Sequence, residues 1–234
     1  GLGLATAAVG AGLLGRSFLA VQSVDTGFAP ARLLVAEATP SAATHPDDEA
    51  VDAYFRRSLE ELRAIAGVRS AGAADRLPLN HETFQVAYSG TGVGGVPEDW
   101  PAAIYSRVDG GYFEATGTPI LEGRGFLESD RPEAARVVVV SRSLAEREWP
   151  GESALGRTLR IGTADPAVEA TVVGVAGDVR WTDLTSAPVP HVYGSLGQSP
   201  DRRRFLVAQM TGTGTPGALV PVLRRELAAV DRSV

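Results

Sequence analysis

The amino-terminal segment constrains the fold of this chain more than any other feature. No residue from Gly1 to Gly15 carries a charge, and the first charged side chain is that of Arg16. Such a run can be the end of a membrane-spanning helix, or it can hold a nucleotide-binding turn. A membrane helix would have to begin upstream of Gly1, because about 20 apolar residues are needed to cross the hydrocarbon core. The two interpretations predict different proteins: the external domain of a membrane protein, or a soluble enzyme.

The dinucleotide interpretation depends on the spacing of three glycines. Gly10, Gly12 and Gly15 match the GxGxxG phosphate-binding turn, and Glu37 follows at about the distance expected of the ribose-binding acid. A turn of this kind follows a buried strand that is rich in Val and Ile. Here Val9 is the one β-branched aliphatic residue before the turn, and small residues such as Gly and Ala are common where membrane helices pack. The alternative to a membrane-helix end is thus a cytosolic enzyme that binds NAD(P) or FAD, and on the pattern alone both interpretations stay open.

Composition narrows the classes of function. The net charge is −6 and the isoelectric point is near 5.2, so the chain has no basic surface that could neutralise the phosphates of a nucleic acid. Arg202–Arg204 is a local exception, and a solvated turn before a strand explains it better than a phosphate site does. The absence of cysteine excludes disulfides, thiol nucleophiles and Cys-ligated zinc. The chain also has no lysine, which excludes a Walker A or Schiff-base lysine, so an ATPase that powers it must lie elsewhere.

The segment that follows the amino-terminal run predicts a strand, a helix and a second strand. Arg32–Ala38 has the composition of a strand, and the helix follows a capping signal that consists of Thr44 and Asp47. The helix ends at Gly67 as a C′ glycine, and Val68–Ala74 then forms the next strand. The apolar face of the helix comprises Val51, Tyr54, Phe55, Leu59, Leu62 and Ile65. Together these elements predict a βαβ unit.

The rest of the chain predicts one domain built from both ends and an insertion between them. Residues 168–234 continue the α+β domain that residues 28–78 begin. Their predicted elements are strands at Glu169–Val179, His191–Leu196 and Phe205–Met210 and a last helix that starts at Thr215. Residues 79–167 are richer in Gly, Pro and charge, and they predict a smaller inserted subdomain. Its predicted elements are strands at Phe84–Ser89, Ala103–Val108 and Arg136–Ser141 and helical turns at Gly111–Thr116 and Ser143–Trp149.

No group of residues in the sequence predicts a catalytic centre, a cofactor site or a metal site. His45, His81 and His191 are far apart and never at i, i+4 spacing, so each is expected to be a surface or cap residue. A second GxGxxG match, Gly90–Gly95, does not lead into a helix and is expected to be a flexible loop. Asp178 is the best placed acid, but a single acid at a strand end predicts a turn or hydrogen-bonding role.

Several short motifs occur in order nearly from end to end of the chain. They are Gly10–Phe18 with Val24–Phe28, Leu59–Ser70, Gly111–Gly117, Leu121–Phe126, Trp149–Glu152, Leu155–Leu159 and Val172–Arg180. None of them is specific by itself, but their order and spacing are. In this respect the chain resembles the extracytoplasmic core domain of MacB/FtsX-type ABC permeases, especially the duplicated orphan-permease branch known from acidobacteria.

The resemblance implies an α+β fold with several parts. Residues 1–27 would be the end of a first transmembrane helix and its exit segment. Residues 28–78 and 168–234 would form two porter-like βαβ-type subdomains, with residues 79–167 as an inserted, mixed α/β sabre-like subdomain.

The resemblance also implies a function without catalytic residues or cofactors. The domain would lie on the extracytoplasmic, periplasmic side of the inner cell membrane. Its partners would be a separate cytoplasmic ABC ATPase, a second permease copy, the membrane and a periplasmic adaptor. ATP hydrolysis by the ATPase would be coupled to movement outside the membrane, for export or mechanotransmission.

Overall fold

A computed structural model describes residues 20–24, 32–78, 84–90, 99–162, 167–179 and 189–211. The chain divides into two compact units. Of the described residues, the first unit comprises those within 1–73, 114–117 and 200–234, and the second comprises those within 74–113 and 118–199. In chain order the elements are β1 (Ala20–Val24), β2 (Arg32–Ala38), α1 (Asp48–Ala64), β3 (Val68–Ala74), β4 (Gln85–Ser89), β5 (Ala102–Val108), α2 (Tyr112–Thr116), β6 (Ile120–Gly123), β7 (Val137–Ser141), α3 (Arg142–Glu148), β8 (Thr158–Ile161), β9 (Val168–Ala176), β10 (His191–Ser195) and β11 (Arg204–Met210).

The strands of the first unit are ordered β1-β2-β11-β3. β2 pairs antiparallel with β1 and with β11, and the register with β11 places Arg32 opposite Met210. The Thr211 N–H donates to the Gly67 carbonyl, and the Ser70 hydroxyl donates to Gln209. Residue numbers thus rise along β3 as they fall along β11, so these two strands also run antiparallel. β2 and β3 are therefore parallel with β11 between them, and the predicted strand–helix–strand unit is a split one.

Helix α1 begins one turn later than the capping signal predicts. Its N-cap is Asp47, whose carboxylate accepts the Ala50 N–H at 2.8 Å. Thr44 instead contacts the His45 ring, with 2.9 Å between Oγ1 and Nδ1. The helix ends at the C-cap Ile65, two residues before Gly67, which does have the predicted positive φ, +94°. The prediction of a helix here is confirmed, but both of its predicted ends are wrong.

The buried face of α1 is the one that the sequence predicts, apart from its last residue. Val51, Tyr54, Phe55, Leu59 and Leu62 are buried, and Ile65 is only partly buried. Each fully buried side chain of this size contributes about 1.5–3 kcal/mol relative to an exposed one. Ser58 is buried on the same face, although its polar side chain gave no reason to expect this.

The sheet of the second unit closes on itself. Its strands are ordered β5-β10-β7-β9-β8-β4, and β4 also pairs with β5, so the six strands form a closed circuit. β6 lies off this circuit and pairs antiparallel with β9. The buried cluster of this unit includes Tyr88, Val140, Leu144, Trp149, Leu159, Val172 and Val192. α3 contacts β7, β9 and β10, and it contributes Leu144 to this core.

The boundaries of the two units differ from the predicted segments. β9 pairs with β7, and β10 pairs with β5 and β7, so these two strands belong with the middle of the chain, whereas β11 belongs to the first unit. β6 and β8 were not predicted, because each has four residues and glycine follows or ends it. The predicted strands at β2, β3 and β11 are confirmed within one residue at each end, and the α+β class is confirmed.

Most of the predicted transmembrane segment, residues 1–27, lies outside the described residues; Ala20–Val24 form β1. The predicted last helix from Thr215 also lies outside them. Among the residues that the structure describes, no helix is long and apolar enough to cross a membrane.

Candidate functional site

Two of the sequence motifs meet at a close contact between β6 and β9, which we call the glycine junction: Gly123, Arg124, Val173 and Gly174. Gly123 has a φ of +70°, and a Cβ at this position would lie 2.2 Å from the Val173 carbonyl oxygen. A Cβ at Gly174 would lie 2.2 Å from the carbonyl oxygen of Arg124. The Arg124 N–H donates to the Val173 carbonyl at 3.0 Å. Only glycine allows two backbones to approach this closely, so the junction fixes one motif against the other.

The side chain of Arg124 extends the glycine junction to Asp130. Its two terminal nitrogens donate to the two carboxylate oxygens of Asp130 at 2.8 and 3.0 Å, which is a bidentate pair. Asp130 also accepts the Leu127 N–H at 2.8 Å. Burial by itself would raise the pKa of Asp130, but the hydrogen bonds from Arg124 and Leu127 outweigh burial and lower it. The carboxylate is thus held ionised as a structural clamp on the turn after β6.

Four aromatic rings pack beside this clamp in the second unit. The Phe113 ring lies 5.1 Å from that of Tyr193 and 6.2 Å from that of Phe126, and Tyr112 contacts both Phe113 and Tyr193. Burial raises the pKa of both tyrosines, so their phenols are neutral at physiological pH. This packing links the motif at Gly111–Gly117 to the motif at Leu121–Phe126, which sequence order alone did not show.

The closest approach to a catalytic arrangement is a serine–histidine pair. The Ser106 hydroxyl and His191 Nε2 are 2.8 Å apart, and the His191 ring is stacked on Tyr193 with 3.8 Å between centroids. Ser106 is 0 % exposed and His191 is 1 % exposed, so no substrate can reach them in this conformation. Burial lowers the pKa of His191 to about 3, which keeps the ring neutral. The pair is a buried hydrogen bond of the core.

The predictions for the two described histidines are wrong, whereas the prediction for Asp178 is confirmed. His45 and His191 are both buried, so the prediction that they are surface or cap residues is wrong, and His81 lies outside the described residues. Asp178 accepts the Ser143 N–H at 2.9 Å and lies 3.6 Å from Arg142, which confirms its hydrogen-bonding role at the start of α3.

The arginine cluster at residues 202–204 is a structural element of the first unit. Arg202 donates to the carbonyls of Pro40 and His45, and Arg204 is buried between Asp52 and the Phe55 ring. The prediction of a solvated turn is therefore wrong for Arg204, because its guanidinium pairs with a carboxylate of α1 and stacks on an aromatic ring. Arg203 donates to Glu37 at 2.5 Å.

The residues of the dinucleotide interpretation do not form a site in the described structure. Glu37 lies in β2 and pairs with Arg203, while Gly10, Gly12 and Gly15 lie outside the described residues. Of the second glycine motif, Gly90 is described and donates to the Glu148 carboxylate at 2.8 Å. Within the described ranges no three His, Asp or Glu side chains are placed to hold a metal ion.

The sequence interpretation missed two buried polar residues that hold loops of the second unit, Asp75 and Gln198. Asp75 is almost fully buried and accepts hydrogen bonds from the backbone and side chain of Arg107. Gln198 accepts the Val137 N–H and donates to carbonyls of residues 131, 134 and 135. Neither lies in a recognisable motif, so no sequence signal could have identified them. Both glycines of the glycine junction lie in short sequence motifs, but neither motif predicts that the two segments are in contact.

Comparisons with known proteins agree with the motifs. The family model described as "MacB-like periplasmic core domain" matches residues 1–230. The search of curated proteins gives no match. Among solved structures, the periplasmic region of MacB from Actinobacillus actinomycetemcomitans is similar with a TM-score of 0.50 and 14% identity, over 75% of this chain and 73% of that one. The extracellular domain of the noncanonic ABC-type transporter YknZ from Gram-positive bacteria has a TM-score of 0.47 and 16% identity, over 74% of this chain and 79% of that one.

Proposed function

The chain belongs to the MacB-like periplasmic core domain family, and we propose that it is the non-catalytic, extracytoplasmic domain of an ABC-type permease. In this function, ATP hydrolysis by a separate ATPase is coupled to conformational change outside the membrane, for export or mechanotransmission. The observation that carries the proposal is the family match over residues 1–230, nearly the whole chain. No comparison supports the dinucleotide-binding alternative, and Glu37 pairs with an arginine of the same unit.

The described residues support a mechanical role over a chemical one. The serine–histidine pair is closed to solvent, and Asp130 and Asp178 hold turns and helix starts. A domain that transmits movement needs stiff connections, because a flexible one would absorb the displacement. The glycine junction and the Arg124–Asp130 clamp supply such connections in the second unit.

The partners that we propose follow from the family. The 234 residues contain no Walker A lysine, and we propose that the nucleotide chemistry belongs to a separate, cytoplasmic ABC ATPase. We further propose a second permease copy, a periplasmic adaptor and an inner-membrane anchor that includes residues 1–27. Within the domain, we propose porter-like subdomains in residues 28–78 and 168–234 and a sabre-like insertion in residues 79–167. The compact unit that contains β2, α1 and β11 supports the pairing of the two ends of the chain, whereas β9 and β10 lie in the other unit.

The absence of cysteine allows a direct test of location. Glu152→Cys places a single thiol at an exposed side chain, and the full-length permease provides no cysteine background from this domain. A membrane-impermeant maleimide is added to spheroplasts and, as a control, to lysed cells. We expect equal labelling in both samples. Labelling that occurs only after lysis would place the domain in the cytoplasm and would refute the proposal.

A further inference from the structure

A surface of the second unit combines three arginines with one exposed and one partly buried aromatic side chain, in an acidic protein. We call it the arginine–aromatic patch: Arg76, Phe84, Tyr105, Arg107 and Arg136. The Arg76 guanidinium lies over the Phe84 ring, 5.0 Å from its centroid, and the Phe84 ring meets the Tyr105 ring edge to face at 6.4 Å. Phe84 is 48% exposed although Arg76 and Tyr105 both contact its ring.

The charged groups that the structure describes at the patch are mostly guanidinium groups, although the chain as a whole carries −6. Burial raises the pKa of Tyr105, and four charged groups near its phenol also act on that pKa. Three of these groups are guanidinium groups, and the fourth is the carboxylate of Asp75. Asp75 has only 2% of its side chain exposed, so its charge lies beneath the surface, whereas Arg136 is exposed and Arg76 is 27% exposed. A ligand that approaches from solvent therefore meets the positive groups first.

The buried carboxylate of Asp75 has hydrogen-bond donors besides Arg76. Asp75 already accepts two hydrogen bonds from Arg107, at 2.8 and 2.9 Å, which satisfy a buried carboxylate at the end of β3. Arg76 adds a third donor at 2.6 Å, and this ion pair holds its guanidinium in place above Phe84. A guanidinium that is already immobilised loses less conformational entropy when it binds a carboxylate.

We propose that the arginine–aromatic patch binds a carboxylate-rich segment of a protein partner. Arginine and aromatic side chains are the residues most often responsible for binding energy at protein interfaces. The excess of guanidinium groups over carboxylates fits an acidic segment, and the exposed Phe84 ring provides the apolar contact beside it. This binding does not depend on the transport function proposed above.

The test uses a fluorescein-labelled decaglutamate peptide as the probe and fluorescence anisotropy at about 20 mM salt, where surface charges are weakly screened. The variants are Arg76→Gln and Phe84→Ser, each checked by its melting temperature. Arg157→Ser is the matched control, because Arg157 is an exposed arginine that pairs with Glu152 away from the patch. We expect Arg76→Gln to weaken binding by about fivefold or more, Phe84→Ser to weaken it less, and Arg157→Ser to change it by less than about twofold.

Three results would overturn the proposal. The first is equal loss of binding in Arg76→Gln and Arg157→Ser, which would indicate attraction to charge alone. The second is equal affinity for a decaglutamine peptide, which has no carboxylates. The third is Arg76-dependent binding to vesicles of phosphatidylglycerol and phosphatidylcholine without binding to the peptide, which would make the patch a lipid contact.

Discussion

Burial of a neutral His191 makes the stability of the folded chain sensitive to mild acid. Burial holds the pKa of this ring near 3 in the folded chain, against an ordinary value of 6.5. Between these two values the unfolded chain binds a proton that the folded chain does not. The free energy of unfolding therefore falls as the pH falls from 6.5 towards 3, by about 1.4 kcal/mol per pH unit.

The perturbation that isolates this effect is the double variant Ser106→Ala/His191→Phe. Phenylalanine keeps a ring against Tyr193, and alanine removes the hydroxyl that would otherwise lose its partner at 2.8 Å. From pH 7.5 to pH 4.5 we expect the original chain to lose about 3 kcal/mol more stability than the double variant. Ser106→Ala alone is the control, and it should keep the acid sensitivity, because burial is the cause of the lowered pKa.

The measurement is urea unfolding of each purified chain at several pH values, followed by tryptophan fluorescence. The other titrating groups are common to all three chains, so they cancel in the comparison. If the free energy of unfolding has the same pH dependence in the original chain and in the double variant, His191 is not buried as a neutral ring, and the reasoning fails.

Three further predictions concern local structure, and each is checked by urea unfolding at neutral pH and, for Asp130→Asn, also at acidic pH. Gly123→Ala should lower the free energy of unfolding by about 3 kcal/mol or more, because the new Cβ would lie 2.2 Å from a carbonyl oxygen. The control Gly156→Ala should lower it by only about 1 kcal/mol, because Gly156 has a similar φ of +74° but open space around it. Equal losses in the two variants would contradict this prediction. Asp130→Asn should lower the free energy of unfolding by about 2 kcal/mol, because the variant loses the charged hydrogen bonds to Arg124. Because the pKa of Asp130 is lowered in the folded chain, the difference in stability between the original chain and the variant should disappear as the pH falls through that pKa. A difference that stays constant with pH would contradict this prediction. Asp47→Ala should cost about 1 kcal/mol as the loss of the α1 N-cap, and an unchanged stability would show that Asp47 does not cap this helix.

Local patterns predict most of the first unit. The bounds of β2 and β3 and the apolar face of α1 follow from residue type and periodicity, which burial then confirms. The helix start could not be assigned as reliably, because Thr44 and Asp47 are both good caps. In the folded chain Thr44 interacts with the buried His45, which leaves Asp47 as the cap.

Long-range pairing is what the sequence could not predict. The strand that ends near Asp178 has the composition of a buried strand wherever it pairs, and only the structure shows β9 beside β7. The burial of His191 and Arg204 could not be predicted for the same reason. A buried polar side chain needs a partner, and here the partners, Ser106 and Asp52, are distant in sequence. The glycine junction is a further example, since a close approach of two backbones needs both strands.

Coupling to a separate ATPase is the central claim, and a distance measurement tests it most directly. The full-length Glu152→Cys permease is spin-labelled and reconstituted with its ATPase in nanodiscs, and the distance between the labels of the two permease copies is measured by pulsed EPR. We predict that this distance distribution changes when ATP is bound and returns after hydrolysis, and that ATP has no effect when the ATPase is omitted. An unchanged distribution in a complex that hydrolyses ATP would contradict the account.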